Sequence, residues 1–397
     1  MIYPKPQIPT LPVLSLGSFH RAHDQHIPSV LDAARTRFVT SGRVAIALAL
    51  LQMNIGKGDK VLLPAYHCSS MVEPIIWAGA EPVFYKIHAD TSVDMEDIKN
   101  RLDGSTKLLL VTNYFGFPQK LSQIRSFCDA HHILLLEDCA HSFFGECDGK
   151  PLGTFGDYAV ASAMKFFPIY DGGYLVSTRH RIAGLSLESA GPGFEIKAAL
   201  NTLEKSFAYG RLGFLKKMTS VPIWFKNFIW ETIKRRTLPE KVSFGPDASE
   251  GGFGFEAKWL EKKATFFSKY LIKQVCKTRI AVNRRRNYIA LQTALEGLPG
   301  CHPLFPELPA GVYPYVFPLV TDEPEIHFSF LKKAGVPVIR FGEFLWQSGE
   351  ASVCQVSADL SRRVLQFPCH QELKEAELEW MIKTISATFL SNGSVQK

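Results

Sequence analysis

Residues 107–142 read KLLLVTNYFGFPQKLSQIRSFCDAHHILLLEDCAHS, and the order of apolar and polar residues in this stretch decides the fold class. Two continuous apolar runs, KLLLVTNYFG and ILLLEDCA, are typical of strands buried on both faces. Between them, LSQIRSFCDAHH has the apolar spacing of a helix. This order predicts a parallel sheet covered by helices. Its strand ends, where ligands of such sheets gather, carry Asn113, Asp138 and His141.

The same alternation continues on both sides of this stretch. VTSGRVAIALALLQMNI predicts a turn entering a helix, and SSMVEPIIWAGAEPVFYKI predicts a helix followed by a strand. From about residue 300, GVYPYVFPLV, FLKKAGVPVIR and ELKEAELEWMIKTISATFL predict further strands and helices. A chain of 397 residues is too long for one ordinary core. We therefore predict an α/β protein with a large domain built on a mostly parallel sheet and a smaller C-terminal α/β domain.

Composition indicates an ordinary globular protein, with 46% hydrophobic and 21% charged residues. The net charge of +7 is mild for this length, so we expect anionic substrates or surfaces and no nucleic-acid partner. Eight scattered cysteines without a CxxC pair predict reduced thiols and no metal site. Prolines interrupt the N-terminal apolar run, and no stretch reaches the roughly 18 apolar residues of a membrane span. We expect a cytoplasmic protein.

Lys165 is the most unusual residue, because it lies within the apolar run VASAMKFFPIYDGGYLVS of residues 160–177. A buried lysine requires a partner or a reaction that removes its charge. A lysine held neutral is a nucleophile that captures carbonyl compounds as a Schiff base. Ser162 is close enough in sequence to bind a phosphate, and the Asp-Gly-Gly after the lysine predicts a tight turn against a cofactor.

Two further segments carry polar groups that such a site needs. In TSGRVA, Ser41 and Gly42 precede a helix whose first backbone amides form an anion site, although Ser-Gly before a helix is also an ordinary cap. In LLLEDCAHS, Asp138 can hold a protonated ring nitrogen and His141 can reach a neighbouring ring oxygen. The alternative there is a helix-capping aspartate and a surface histidine.

A phosphate turn, a carboxylate for a ring nitrogen and a lysine are together the groups that pyridoxal 5'-phosphate requires. On these residues the sequence resembles the DegT/DnrJ/EryC1/StrS aminotransferases, the sugar-aminotransferase branch of fold type I pyridoxal-phosphate enzymes. The resemblance runs from about residue 37 to residue 176 and continues more faintly in the C-terminal third. It implies that Ser41, Gly42 and Arg43 form the phosphate turn. It also implies that Asp138 and His141 bind the ring, that Ser162 contacts the phosphate and that Lys165 forms the Schiff base.

The sequence departs from the family pattern at three places. Arg43 stands where the family has Thr or Ser, which predicts either an altered phosphate cup or a salt bridge elsewhere. Ser162 precedes the lysine by three residues instead of five. The family's PxxTF segment, whose aromatic ring stacks on the pyridine, reads PAYHC. Tyr66 or His67 is then expected to stack on the ring, since Cys68 occupies the aromatic position.

The resemblance implies an aminotransferase that moves an amino group from an amino acid, such as glutamate, to a nucleotide- or lipid-linked keto sugar. It also implies a homodimer. The expected domains are an N-terminal arm over 1–30, a cofactor-binding domain over 31–290 with a basic aromatic insertion at about 195–250, and a small domain over 291–397. The alternatives are another fold type I enzyme, a dehydratase or lyase, and a non-catalytic scaffold at a membrane biosynthetic complex.

Three basic segments complete the analysis. The stretch over 205–237 interleaves Lys and Arg with Phe and Trp, which predicts either packing on a second subunit or peripheral contact with anionic lipid. Arg284, Arg285 and Arg286 predict a solvated helix face. Arg340 is a candidate for binding a substrate carboxylate, because guanidinium fits a carboxylate with two hydrogen bonds.

Overall fold

The structure, a computed structural model, describes residues 3–20, 25–218, 254–346 and 354–392. Its central feature is a seven-stranded sheet with the order β1-β9-β8-β5-β4-β2-β3. Its strands in chain order are β1 (Arg35–Val39), β2 (Lys60–Pro64), β3 (Glu81–Tyr85), β4 (Thr106–Thr112), β5 (Leu134–Asp138), β8 (Tyr158–Ser162) and β9 (Gly173–Ser177). A short hairpin of β6 (Glu146–Cys147) and β7 (Lys150–Pro151) lies between β5 and β8 in the chain.

The strand directions confirm the predicted mostly parallel sheet. β3, β2, β4, β5 and β8 pair in parallel, whereas β9 is antiparallel to both β8 and β1. The strand residues are largely buried, as expected for a sheet covered by other elements. Six of the seven strands therefore end at the same edge, which places the residues after β1, β4, β5 and β8 close together.

Ten α-helices have assigned limits in the described residues, and most lie between strands as the sequence predicts. The first, Gly42–Gln52, packs on β8 and β9. The stretch over 255–295 forms two helices separated by Val275 and Cys276. The helices are Gly42–Gln52, Ser69–Trp77, Met95–Arg101, Leu121–Ala130, Pro192–Ala208, Phe266–Gln274, Lys277–Leu295, Pro324–Lys333, Gln355–Arg363 and Glu375–Asn392.

A second, antiparallel sheet forms the predicted small α/β unit. Its order is β10-β11-β13-β12, with β10 (Cys301–Pro303), β11 (Val316–Thr321), β12 (Ile339–Arg340) and β13 (Val364–Pro368). The helix Lys277–Leu295 packs against this sheet and against the helix Glu375–Asn392. The predicted boundary between residues 290 and 291 falls inside this helix, and the domain limits stay a prediction.

The N-terminal segment packs on the C-terminal part of the chain. The Gln7 amide donates to the carbonyl oxygen of Gly335 over 2.9 Å. Farther along, the hydroxyls of Ser15 and Ser18 donate to the buried carboxylate of Glu372 over 2.7 and 2.9 Å. Arg279 forms an ion pair with the same carboxylate at 2.5 Å. The segment over residues 3–20 is therefore tied by hydrogen bonds to Gly335 and to Glu372, which follows the last strand of the small sheet.

The predicted insertion is only partly within the described residues. Its start belongs to the helix Pro192–Ala208, and residues 219–253 lie outside the described ranges. Among the residues that the structure describes, no helix combines the length and apolar character needed to cross a bilayer.

Candidate active site

A cavity of about 720 Å³, counting open solvent at its mouth, lies at the edge of the large sheet where the parallel strands end. Seven of the nine predicted site residues line it: Ser41, Gly42, Arg43, Asp138, His141, Ser162 and Lys165. They come from three separate segments of the chain, over residues 41–43, 138–141 and 162–165. The topology of the large sheet brings these three segments to one cavity.

Strand ends place most of these side chains. Asp138 is the last residue of β5, and it lies beside Thr112, the last residue of β4, in the parallel register. Ser162 ends β8, and Lys165 follows it in a single 3-10 turn. Neighbouring positions in register point to the same face of a sheet, so Thr112 and Asp138 both face the cavity.

The turn before the first helix has the form of an anion site. The Ser41 hydroxyl accepts a hydrogen bond from the Val44 amide at 3.3 Å and thereby caps the helix Gly42–Gln52. Its own proton stays available as a donor. Gly173 closes on this turn: a Cβ atom there would lie 2.2 Å from the Ser41 carbonyl carbon. The Asp-Gly-Gly segment thus supports the turn from behind.

Arg43 forms a salt bridge, the second of the two outcomes expected for it. Its Nε atom lies 3.4 Å from a carboxylate oxygen of Glu73. Its Nη1 donates to the Gly254 carbonyl oxygen over 2.9 Å. The Gly254 amide in turn donates to Glu73 over 3.1 Å. Arg43 therefore lines the cavity while it joins the helix Ser69–Trp77, through Glu73, to the backbone at Gly254.

Asp138 and Lys165 lie in the same cavity wall, and burial acts on both. Burial raises the pKa of the Asp138 carboxyl above its usual range, against the opposing effects of the Ala140 amide and the Lys165 charge. The Ala140 backbone amide donates a hydrogen bond to the Asp138 carboxylate over 2.9 Å. Lys165 is half-buried, with Nζ 5.2 Å from the centre of the Tyr315 ring. The surrounding protein lowers the pKa of its amine by desolvation, although Cys68 and Asp138 oppose this shift.

His141 is held as a neutral ring. Burial, assisted by the nearby Lys165 charge, lowers its pKa well below the ordinary value. The Phe115 amide donates to Nδ1 over 3.4 Å, which assigns the remaining proton to Nε2. The ring stacks on Tyr315, with 4.9 Å between ring centres. His141 can therefore donate a hydrogen bond without carrying a charge.

Tyr66 and His67, the predicted stacking residues, are the two that do not line the cavity. The Tyr66 ring is fully buried against Tyr114 and Phe341. His67 stacks on Phe84, and its Nε2 accepts from the Trp346 amide at 2.9 Å. Both side chains are held by these packing partners and neither lines the cavity, so neither is placed to stack on a ligand ring there.

The sequence analysis missed several lining residues. Thr40 and Thr112 are buried, and within the described part of the chain neither hydroxyl has a hydrogen-bond partner. Thr112 could have been found, since it ends a strand next to Asp138 in the predicted sheet. Phe341 could not, because it comes from the small unit after β12 and meets the cavity only through tertiary packing.

The structure corrects two further predictions about arginines. Arg284 does not lie on a solvated face: it is fully buried and donates four hydrogen bonds inside the protein. Arg340 does not reach the cavity, because its guanidinium pairs with Glu325 at 3.1 Å and donates to the Pro324 carbonyl at 2.7 Å. Neither side chain could be placed from the sequence pattern.

Glu137, beside Asp138, shows why the loops around the cavity keep their shape. Its carboxylate accepts hydrogen bonds from the amides of Gly153 and Phe155, at 2.8 and 3.2 Å, and from the Asn113 side chain at 3.2 Å. Alternate strand residues face opposite sides, so Glu137 fixes the loop over residues 153–157, which reads GTFGD, while Asp138 faces the cavity. Asn113 thus belongs to this support and does not line the cavity.

Comparison with known proteins points to one group. The model of the DegT/DnrJ/EryC1/StrS aminotransferase family matches residues 12–221. GDP-perosamine synthase of Vibrio cholerae is 31% identical over 168 residues, which cover 42% of this chain and 46% of that protein. The dTDP-4-dehydro-2,3,6-trideoxy-D-glucose 4-aminotransferase of Saccharopolyspora spinosa is 29% identical over 179 residues, covering 44% and 46%. The match thus spans about half the length of these curated relatives.

Solved structures agree on the fold. A DegT DnrJ EryC1 StrS aminotransferase from Brucella abortus superposes with a TM-score of 0.61 at 19% identity, covering 90% of this chain and 87% of that one. The PLP-form of a putative sugar aminotransferase from Streptococcus pneumoniae gives 0.62 at 15% identity, covering 90% and 88%. At these identities the likeness shows the fold alone, and it confirms the fold type I architecture.

Proposed function

The chain belongs to the DegT/DnrJ/EryC1/StrS aminotransferase family, and we propose that it moves an amino group from an amino acid, such as glutamate, to a nucleotide- or lipid-linked keto sugar. The observation that carries the proposal is the cavity itself. It holds Lys165, Asp138 and His141 together beside the anion-binding turn at Ser41. The relative from Saccharopolyspora spinosa, which is named as an aminotransferase of a dTDP-linked dehydro sugar, supports the acceptor class.

The cofactor of this family is pyridoxal phosphate, and the residues present fit it. When bound, it supplies an aldehyde that captures amines and a ring that accepts electrons from the carbon next to the amino group. Two buried hydroxyls indicate that the cavity suits this cofactor. Those of Thr40 and Thr112 line the cavity and have no hydrogen-bond partner among the described residues. A buried hydroxyl without a partner is costly, so a polar ligand that satisfies both is favoured.

Each end of the cavity suits one end of the cofactor. At the phosphate end, the amides of the first helix turn and the hydroxyls of Ser41 and Ser162 are the donors. At the ring end, the Asp138 carboxylate would hold the proton of the ring nitrogen by opposite charge. The Nε2 proton of His141 would bind the ring oxygen. These two residues orient the ring and stabilise the charge that it accepts.

Lys165 has two roles in this proposal. Its amine, whose pKa desolvation lowers, would hold the cofactor through the aldehyde carbon and would be released when the amino donor takes its place. The released Nζ would then accept a proton from the substrate carbon that bears the amino group and would donate it to the cofactor carbon bonded to the same nitrogen. The low polarity of the wall, with Val160, Met164 and Phe341, limits water near this atom. The keto sugar takes the amino group in the reverse half of the reaction.

The proposal is tested by trapping the lysine. Purified protein incubated with pyridoxal phosphate and reduced with borohydride should carry the cofactor's mass on the peptide that contains Lys165. Lys165→Ala should lose this mass, whereas the exposed Lys107→Ala, a matched control, should keep it. Glutamate should then bleach the visible band of the loaded protein, which marks the first half of amino transfer. A parent protein that carries no label at Lys165 would overturn the assignment.

We also propose a cytoplasmic location and two macromolecular partners: a second copy of the chain, and an anionic membrane surface contacted through residues 205–237. All eight cysteines are unpaired thiols, which supports a reducing compartment. Residues 219–237 lie outside the described residues. In the described part of the stretch, Phe214 and Met218 are 78% and 66% exposed beside Lys216 and Lys217. Apolar side chains next to cations favour an anionic lipid surface.

Two measurements separate these partners. The parent protein should sediment with vesicles of anionic lipid at low salt and be released by high salt, and Phe214→Glu should weaken this binding. Light scattering should give a dimer mass for both proteins. If vesicles bind neither protein and Phe214→Glu yields a monomer, the stretch contacts the second subunit and the lipid proposal fails.

A further inference from the structure

Arg284 and Gln371 hold the main chain at Lys165 from behind the cavity. We propose that these two residues, here called the carbonyl clamp, position Lys165 and the stacked His141–Tyr315 pair for amino transfer. The inference rests on the proposed function and adds two positioning residues that touch neither substrate nor cofactor. Arg284 comes from the helix Lys277–Leu295, and Gln371 follows β13.

The contacts of Arg284 converge on the active site. Nη2 donates to the Lys165 carbonyl oxygen over 2.7 Å, and Nη1 donates to the carbonyl oxygens of Pro314 and Tyr315 over 3.1 and 2.8 Å. Nε donates to the Gln371 side-chain oxygen over 3.1 Å. These four acceptors are all neutral. A fully buried cation therefore donates its hydrogen bonds to three backbone carbonyls, one of them at the cavity-lining Lys165, and to one side-chain amide.

Gln371 extends the grip to the next residue. Its side-chain nitrogen donates to the Phe166 carbonyl oxygen over 2.8 Å. Because its oxygen accepts from Arg284, the orientation of the amide is fixed. Two successive carbonyls, those of Lys165 and Phe166, are thus held by two side chains that bind each other. The guanidinium also stacks on the Phe166 ring, with 4.4 Å between its carbon and the ring centre.

The clamp matters because the Lys165 amine must leave its bound position and return to it in each cycle. This movement is productive only if the main chain stays in place while the side chain swings. The Tyr315 carbonyl, held by the same guanidinium, fixes the ring that stacks on His141 and lies 5.2 Å from Lys165 Nζ. Arg284 thus holds the main chain both at Lys165 and at Tyr315, the residue that stacks on His141.

Arg285 is a matched control for a purely structural role. It is the adjacent residue on the same helix, and its Nη1 donates to the carbonyl oxygens of Pro309 and Val312 over 2.6 and 2.7 Å. It therefore ties backbone to the helix as Arg284 does. None of its acceptors belongs to Lys165, Phe166 or Tyr315, and Arg285 does not line the cavity.

The test compares Arg284→Met, Arg284→Lys, Gln371→Leu and Arg285→Met as full-length proteins. For each we would measure the fraction of folded protein that pyridoxal phosphate and borohydride label at Lys165. For each we would also measure the pH midpoint of the bound cofactor's visible band and the midpoint of thermal unfolding without cofactor. We expect Arg284→Met to lose about tenfold or more of the labelling and to shift the pH midpoint, because displacement of the lysine is costly. Arg285→Met should change only the thermal midpoint.

The remaining variants keep the proposal falsifiable if Arg284→Met does not fold. Arg284→Lys keeps the cation but not its forked pair of donors. Gln371→Leu removes the hydrogen bonds to the Phe166 carbonyl and to Arg284 Nε but leaves Arg284 on the Lys165 carbonyl oxygen. Both variants should therefore label less than the parent and more than a full loss. Equal labelling and equal pH midpoints in all folded variants, with lowered thermal midpoints, would overturn the clamp and leave the proposed function intact. An unlabelled parent would overturn the proposed function and the clamp with it.

Discussion

Asp138 carries the charge on which the ring end of the site depends. We expect Asp138→Asn to keep the cofactor on Lys165 but to lower turnover roughly 100-fold or more, because an amide cannot hold a ring proton by charge. Steady-state rates with glutamate and a keto-sugar acceptor measure this. The exposed Asp148→Asn is the control and should retain the parent rate. A parent-like rate in Asp138→Asn would contradict the role.

Thr112 has a buried hydroxyl without a partner in the described part of the chain, beside Asp138. Valine has the same shape but no hydroxyl. We therefore expect Thr112→Val to raise the free energy of unfolding of the cofactor-free protein by about 1 kcal/mol. The same change should weaken cofactor binding several-fold, since the ligand loses a hydrogen bond. Denaturant unfolding and equilibrium dialysis measure the two effects. A variant with lowered stability and unchanged cofactor affinity would contradict this prediction.

The lowered pKa of Lys165 predicts how cofactor loading responds to pH. Only the neutral amine captures the aldehyde, so the loading rate rises as pH passes through the lysine's pKa. Burial lowers that pKa from the ordinary 10.5. The rate should therefore reach its plateau at a lower pH than an exposed lysine would give. Stopped-flow absorbance across a pH series checks this, and a rate still rising at the ordinary value would contradict it.

At the scale of elements, the contact between the Asp-Gly-Gly segment and the phosphate turn is the tightest around the site. Gly173→Ala would place a methyl group 2.2 Å from the Ser41 carbonyl carbon and 2.6 Å from the Gly42 nitrogen. We expect a loss of about 1–3 kcal/mol of stability and weaker cofactor binding, because the turn must move. Denaturant unfolding and dialysis measure both. Gly193→Ala, whose Cβ would meet nothing within 4 Å, should change neither.

The elements themselves could largely be predicted from the sequence, whereas the supports of the site could not. Long apolar runs specify β4 and β5 by themselves, because burial on both faces requires such runs. Asp138 and His141 were predicted from the polar groups at a strand end, Ser162 and Lys165 from a lysine in an apolar run, Ser41 and Gly42 from the helix start, and Arg43 from the family resemblance. The burial of Arg284 could not be foreseen, since its acceptors lie at residues 165, 314 and 315. The placements of Tyr66 and His67 likewise depend on packing partners, Phe341 and Trp346, that are distant in sequence.

At the scale of the whole molecule, Glu372 joins three distant parts of the chain. Its buried carboxylate binds Arg279 at 2.5 Å and the hydroxyls of Ser15 and Ser18. We expect Glu372→Ala to lower the free energy of unfolding by about 3 kcal/mol, because a partly buried cation and two hydroxyls lose their partner. Chemical denaturation measures this. The exposed Glu379→Ala should cost far less, and equal losses in the two variants would contradict the prediction.

Both residues of the carbonyl clamp come after the large sheet in the sequence, and this order has a consequence for biosynthesis. The ribosome releases all seven strands of the large sheet by residue 177, but Arg284 and Gln371 emerge much later. A nascent chain can thus assemble its sheet and expose Lys165 to cellular aldehydes before the residues that hold its main chain have been translated. On this arrangement, competence to bind the vitamin B6 cofactor would be acquired last, when the carboxyl-terminal segment docks and Gln371 reaches Arg284 and Phe166.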